Sequence, residues 1–237
     1  MKKSSIGDRP LASWVAPQRP DASVLEGQYV RLERFAPDRH AADLHRANSA
    51  NDAIWDYLPY GPFASAAAYH RWARDVTRGD DPFFYAINPH ATGRFSGVAS
   101  YLRISPEVGS IEVGHINFSS ELQRTVAATE AIFLMMQWAF EAGYRRFEWK
   151  CDAANLGSRR AAQRYGFSYE GVFRQASIVK GRNRDTAWFA CIDAEWPALK
   201  EAFTAWLAPS NFDADGRQIE GLGALTALVR AASDPDV

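Results

Sequence analysis

The sequence predicts an α/β protein of the α+β kind, with a mixed, mostly antiparallel sheet of seven strands and helices on both faces. Three observations carry that expectation. Segments with strand-like alternation do not take turns with segments of helical spacing, which excludes regular βαβ winding. Three short runs rich in β-formers follow one another with only turn residues between them, as in an antiparallel meander. Finally, one long helical segment is apolar nearly all round and therefore has to be covered on most sides.

In chain order, Tyr29, Arg31 and Glu33 alternate with Val30, Leu32 and Arg34 as a first strand. Pro37-Asp38 starts a helix whose spacing holds through Leu44, and a second helix is expected from Ser65 to about Arg78. Between them, Pro59, Gly61 and Pro62 break any helix, while Trp55, Tyr57, Tyr60 and Phe63 supply large rings. Those rings either fold into the core or form one wall of a substrate pocket, with Trp55 and Tyr57 as the pocket candidates. The meander is Phe83 to Asn88, Phe95 to Ile104 and Ser110 to Phe118, separated by Asn88-Pro89, Ser105-Pro106 and Gly109. The apolar helix is expected from about Gln123 to Ala142, stopped by Gly143. A strand from Phe147 to Cys151, a short helix from Ser158 to Tyr165 and a hairpin follow. That hairpin joins Phe173 to Val179 with Ala187 to Ile192 across the polar turn KGRNRD, before an amphipathic helix from Glu195 to about Leu207. Residues 1–24, with three prolines, are expected as an arm, residues 25–208 as the domain and residues 209–237 as a tail in which GALTALVRAA can form a short helix.

Composition narrows the function. The chain has 237 residues, 47% apolar and 23% charged, enough for one domain with a full core. With 27 basic and 28 acidic side chains, its net charge of −1 provides no field for holding a polyanion, so nucleic acid is not an expected partner. No stretch reaches the roughly 20 apolar residues that cross a bilayer, and no apolar run follows the two N-terminal lysines. Cys151 and Cys191 both fall in strands and fit buried thiols in a reducing compartment, although one disulfide between them stays open. A soluble, cytoplasmic protein is expected. The five histidines show no ligand spacing with Cys or acidic residues, so no metal is assigned.

The chemistry is concentrated in IEVGHINFS. Ile111 and Val113 are apolar at odd positions, Ile116 and Phe118 at even ones, and this switch at Gly114-His115 points to a β-bulge or to a strand buried on both faces. A bulge leaves backbone groups unpaired, here just before a helix whose start, QRTVAATEA, offers free amides and a partial positive charge suited to a pyrophosphate. Arg124 is a candidate side-chain clamp.

IEVGHI, the loop into QRTVAATEA, the helix ending at Gly143, FEWKCDAANLGS and RRAAQRYGF together resemble the GNAT superfamily, in particular its ribosomal-protein N-acetyltransferase-like branch, over about Leu25 to Pro197. The resemblance implies acetyl-CoA as co-substrate, an amine acceptor and no metal. It implies CoA contacts at Ile116, Asn117, Phe118, Gln123, Arg124, Thr125, Val126, Ala127, Ala128, Asn155 and Ser158. Gln123 and Ala128 match the family's phosphate-binding turn, whereas Val126 stands where the family has glycine. Asn155, Ser158 and Gly166-Phe167 match a second block, but Ala162 replaces a tyrosine that relatives place near the CoA sulfur. Glu112, before the Val113-Gly114 pair, is implied as the base that takes a proton from the amine directly or through water, with a solvent-facing or turn-pairing carboxylate as the alternative. Ser158 is implied as the acid or as a CoA contact, with capping of the short helix by Asn155 or Ser158 as the alternative. In relatives the hairpin borders the acceptor, which makes Asp185, with Arg182 and Arg184, a substrate candidate. The expected activity is therefore N-acetyl transfer to a protein N-terminus or a small-molecule amine. A CoA-binding sensor without catalysis and a dimeric interaction protein on the same fold stay open, and a homodimer is a candidate assembly.

Overall fold

The computed structural model of the chain describes residues 11–237 and contains one sheet of eight strands. In chain order the elements are β1 (Val24–Glu26), β2 (Val30–Arg34), α1 (Pro37–Asn48), α2 (Ala66–Val76), β3 (Phe83–Pro89), β4 (Gly97–Ser105), β5 (Ser110–Phe118), α3 (Val126–Glu141), β6 (Arg146–Asp152), α4 (Leu156–Arg164), β7 (Ser168–Val179), β8 (Arg182–Ile192), α5 (Trp196–Leu207) and α6 (Leu222–Ala227). The strands lie in the order β1-β2-β3-β4-β5-β6-β8-β7, and every neighbouring pair is antiparallel except β5–β6. The mixed, mostly antiparallel sheet is as the sequence predicts; the eighth strand is β1, three residues long and too short to carry a period of its own.

Alternation along the strands divides the core. Phe83, Tyr85, Ile87, Ala99, Tyr101, Ile111 and Val113 face α3, whereas Phe84, Ala86 and Val98 face α1, α2 and the ring of Trp55. Helix α3 is apolar all round because the sheet covers one side and α5 the other: Phe133 stacks on Phe203 at 5.1 Å and Phe140 on Trp196 at 5.0 Å. Its buried Glu130 accepts the amides of Gln28 and Tyr29 at 2.8 and 2.6 Å, so a carboxylate in the core is satisfied by the β1–β2 turn. Gly27 permits that approach, since a Cβ there would lie 2.5 Å from the Glu130 carboxyl.

Three boundaries differ from the sequence expectation. Helix α3 starts at Val126, three residues late, because Arg124 has φ 62° and Thr125 takes the capping position, accepting the Ala128 amide on its hydroxyl at 3.1 Å. Helix α4 starts at Leu156, with Asn155 as its cap. The closing hairpin turns at Lys180-Gly181 alone, both with positive φ, so Arg182 to Asp185 belong to β8.

Both ends are tied to the domain, although the first ten residues of the expected arm lie outside the described ones. Trp14 donates to the Gly143 carbonyl, Tyr144 to that of Gln18 and Tyr85 to that of Ala22. At the other end α6 buries Leu222, and Arg159 of α4 forms a paired hydrogen bond with the fully buried Asp234.

Candidate active site

A defect in β5 creates the site. Val98 pairs with Asn117 and Ser100 with Gly114, so β5 carries one residue more than β4 between these pairs, and His115 there has φ 50°. This is the bulge that the parity switch indicates. Parallel pairing of β5 with β6 accordingly ends at Val113–Trp149, although β6 runs on to Asp152. Beyond that pair the two strands separate, and a cleft of about 1200 Å³ passes through the gap. It reaches from the start of α3 to the loop bearing Tyr57 and Leu58.

On the α3 side the cleft meets unpaired donors. The amides of Val126 and Ala127 have no acceptor among the described residues, while that of Ala128 is occupied by Thr125. Arg124, Arg160 and Arg164 line the same end, the last two one helical turn apart on α4. Arg164 donates to Thr129 Oγ1 at 3.1 Å and lies 5.0 Å from the ring of Trp206, which holds its guanidinium beside α3. Deeper in, Asn155 Oδ1 accepts the Ser158 amide at 3.0 Å, and Ser158 Oγ accepts the Trp149 indole N–H at 3.0 Å. Burial pushes the neighbouring Cys151 thiol up to about 11, so it stays protonated and is a poor nucleophile.

The opposite side is built around Glu112, 3% exposed. Its Oε1 accepts from Arg103 at 2.7 Å, and Lys150 Nζ lies 2.9 Å from Oε2. Arg103 is aimed there by a second bulge, in β4, where its φ is 47° and the Asp81 carboxylate accepts the amides of Arg103 and Ile104 at 3.0 and 2.9 Å. Lys150 also lies 2.7 Å from Glu148 and 3.8 Å from the centroid of the Trp188 ring. Burial raises the Glu112 pKa above the usual carboxylate range, against the opposing pull of Lys150 and Arg103. Burial acts on Glu148 too, but its hydrogen bonds and charge pairs with Arg146 and Lys150 outweigh it and hold that carboxyl low. The two glutamates, side by side in register on β5 and β6, thus differ in proton affinity.

His115 at the bulge lies with Nδ1 3.0 Å from the Tyr60 hydroxyl, and burial lowers its pKa from 6.5 to about 4. It is neutral at physiological pH. Between pH 6.5 and about 4 the unfolded chain binds a proton here that the folded one does not, so stability falls as pH drops through that window. The loss reaches about 3 kcal/mol by the lower end. Urea unfolding at neutral and acid pH is expected to show this dependence in the parent and a weaker one in His115→Asn.

The chain that carries this arrangement matches known proteins in sequence and fold. The Acetyltransferase (GNAT) domain profile matches residues 30–168, more than half of the chain. The chain belongs to the GNAT acetyltransferase family. A GCN5-related N-acetyltransferase from Brucella melitensis is 44% identical, with a TM-score of 0.89 over 91% of this chain and 99% of that one. A probable GNAT-family acetyltransferase from Chromobacterium violaceum is 40% identical, with a TM-score of 0.77 over 80% of this chain and 96% of that one. The ribosomal L7/L12 α-N-protein acetyltransferase RimL shares the fold at 21% identity, with a TM-score of 0.61 over 73% and 98% of the two chains. A search of curated proteins finds no match.

In this GNAT protein the residues singled out from the sequence do not all meet in the cleft. Glu112, Ile116, Phe118, Gln123, Arg124, Thr125, Val126, Ala128, Asn155, Ser158 and Tyr57 line it. Asn117 does not: its side chain, 1% exposed, points with Val98 toward the α1–α2 side of the sheet. Ala127 turns its methyl into the core and leaves only its amide. Trp55 is corrected to a core residue, 3% exposed, its ring packed against Phe63 at 5.3 Å. Asp185 is also absent from the cleft lining: it lies at the surface beside a bulge in β7, where the Gln175 amide donates to its carboxylate at 2.7 Å and lowers its pKa. Four cleft cations escaped sequence reasoning. Arg160 and Arg164 carry a signal in their spacing of four, and Lys150 shares the parity of Glu148, but the bulge that turns Arg103 inward has no sequence mark. Among the described residues no group of three or more His, Cys, Asp or Glu could hold a metal ion, and no helix is long and apolar enough to cross a membrane.

Proposed function

We propose that this protein transfers acetyl from acetyl-CoA directly to a primary amine, on a protein N-terminus or a small molecule, in the cytoplasm. One observation carries the reading: the β5–β6 gap joins a helix start with free amides on one side of the sheet to a buried carboxylate of raised proton affinity on the other. The residues fit CoA. The Val126 and Ala127 amides, with Arg124, Arg160 and Arg164, suit a pyrophosphate. A valine in place of the family's glycine keeps its amide, which is the group used. The unpaired edge of β5 from Ile116 to Phe118 suits the amides and carbonyls of the pantetheine arm, and Asn155 sets the α4 turn that brings Ser158 to the gap. The free, buried state of both cysteines agrees with a reducing compartment.

In the transfer, Glu112 removes the proton that the amine must lose, directly or through water, and Arg103 and Lys150 keep it ionised. A free β5 amide polarises the carbonyl under attack. Ser158, already accepting from Trp149, can turn its own O–H toward a departing thiolate. The test is thermal unfolding with acetyl-CoA followed by thiol release on a panel of amines. Ligand at about 100 times Kd is expected to stabilise the fold by about 2.7 kcal/mol. Absence of stabilisation overturns CoA dependence, whereas stabilisation without thiol release on any amine favours a CoA-binding sensor.

A further inference from the structure

The far end of the cleft holds two donors that nothing in the protein satisfies. Arg184 and Trp188 lie four residues apart on β8, on one face with Thr186 between them, and all three line the cleft. Arg184 Nε and Trp188 Nε1 are both buried without a hydrogen-bond acceptor. Arg184 also has no carboxylate within ion-pair distance among the described residues. The carboxylates in and beside the cleft are already engaged: Glu112 with Arg103 and Lys150, Glu148 with Lys150 and Arg146, and Asp152, opposite Thr186 on β6, with the Ala154 amide at 2.9 Å. A buried guanidinium N–H without an acceptor is costly, and the cheapest remedy is an anionic oxygen that arrives with a ligand.

Its position assigns that ligand to the acceptor. Thr186 pairs with Asp152 at the end of β6, and Arg184 lies two residues, about 7 Å, further along β8. Glu112, in register with Glu148 and through it with Ala190, lies six residues, about 20 Å, back along β8, a span that the Arg184 side chain and an extended acceptor together have to cover. Phe173 and Ser177, also lining the cleft, pair with Thr186 and Arg184 from β7 and wall the same space. The phosphate-binding cations, by contrast, stand at the α3 end.

We propose that the acceptor is a primary amine that also carries a carboxylate, held by Arg184 with the Trp188 N–H beside it. This rests on the acetyltransferase reading and adds the substrate class to it. The amine then points back toward Glu112 while the carboxylate is anchored at the chain's other end, so Arg184 acts on acceptor binding and not on the proton transfer.

The probes are the ω-amino carboxylates from β-alanine to 6-aminohexanoate, each beside its neutral primary amide, which differ in reach but share both groups. Two readouts are taken on the parent and on Arg184→Gln: kcat/KM for acetyl transfer, and thermal stabilisation of the CoA complex. For at least one chain length the carboxylate is expected to exceed its amide by about tenfold or more, mostly through KM. Arg184→Gln removes that preference and leaves the KM for acetyl-CoA unchanged. Equal use or equal stabilisation by acids and amides overturns the proposal, as does a preference that survives in Arg184→Gln. A raised KM for acetyl-CoA in the variant overturns it in favour of a cofactor contact. If acetyl-CoA itself gives no stabilisation, the underlying acetyltransferase reading has failed instead, which the parent alone reveals.

Discussion

Glu112→Gln is expected to lower turnover by about 100- to 10,000-fold, the usual worth of a positioned general base, while acetyl-CoA binding stays at the parental level. Glutamine preserves size, but its single carbonyl oxygen accepts from only one of Arg103 and Lys150, so parental acetyl-CoA binding and parental unfolding are the controls that separate proton removal from packing. The pH profile adds a signed expectation. A base works only when ionised, and burial lifts Glu112 above the ordinary carboxylate range. The acid limb of kcat/KM therefore lies at higher pH than for an exposed glutamate, with activity falling as pH drops through it. Removing one of the opposing cations, in Arg103→Gln, raises the Glu112 pKa further and moves the limb to still higher pH. A pH–rate series on the three proteins checks both shifts. A Glu112→Gln enzyme with the parental rate would leave the amine to lose its proton elsewhere.

Asp234→Ala is expected to destabilise the fold strongly. Its carboxylate is fully buried and takes two hydrogen bonds from Arg159, at 2.7 and 2.5 Å, whose side chain is 5% exposed. Removing one member of such a pair strands the other charge at a cost of about 3–5 kcal/mol. Asp236, 2.7 Å from the same guanidinium but 62% exposed, is a partial substitute and places the loss at the lower end, near 3 kcal/mol, or about 10 °C in Tm. Arg159 also donates to the Ala153 carbonyl at 3.1 Å, at the entrance to α4. The same variant should therefore bind acetyl-CoA more weakly, since α4 carries Ser158, Arg160 and Arg164. The double variant Arg159→Met, Asp234→Ala recovers part of the stability, because it leaves no buried charge alone. Urea unfolding measures all three.

What was legible in the sequence follows from what leaves a periodic trace. The bulge showed because it shifts the parity of apolar residues from Ile111 and Val113 to Ile116 and Phe118. The buried α3 helix showed because an apolar surface on every side permits few other placements. Strand β1, three residues long, has no period to read. The start of α3 was misplaced because Gln123 and Arg124 are good helix formers, and only tertiary structure puts Arg124 at φ 62°. In the aromatic loop, composition could not say which ring turns inward: Trp55 is 3% exposed, yet Tyr57, two residues on, is 42% exposed and donates to the Ala154 carbonyl across the cleft. The resemblance puts Asp185 beside a substrate, but the β7 bulge whose Gln175 amide it accepts depends on the pairing of two strands. The charge network around Glu112 was illegible for the same reason, as it joins side chains from β4, β5 and β6.

A crystal structure of the protein with CoA tests most directly the central claim, that the β5–β6 gap is a CoA site leading to Glu112. The expected result places pyrophosphate oxygens within hydrogen-bond distance of the Val126 and Ala127 amides, the pantetheine arm along Ile116 to Phe118 and the sulfur beside Ser158. Phosphates bound away from the start of α3, or a sulfur that does not enter the gap between Gly114 and Lys150, would contradict it.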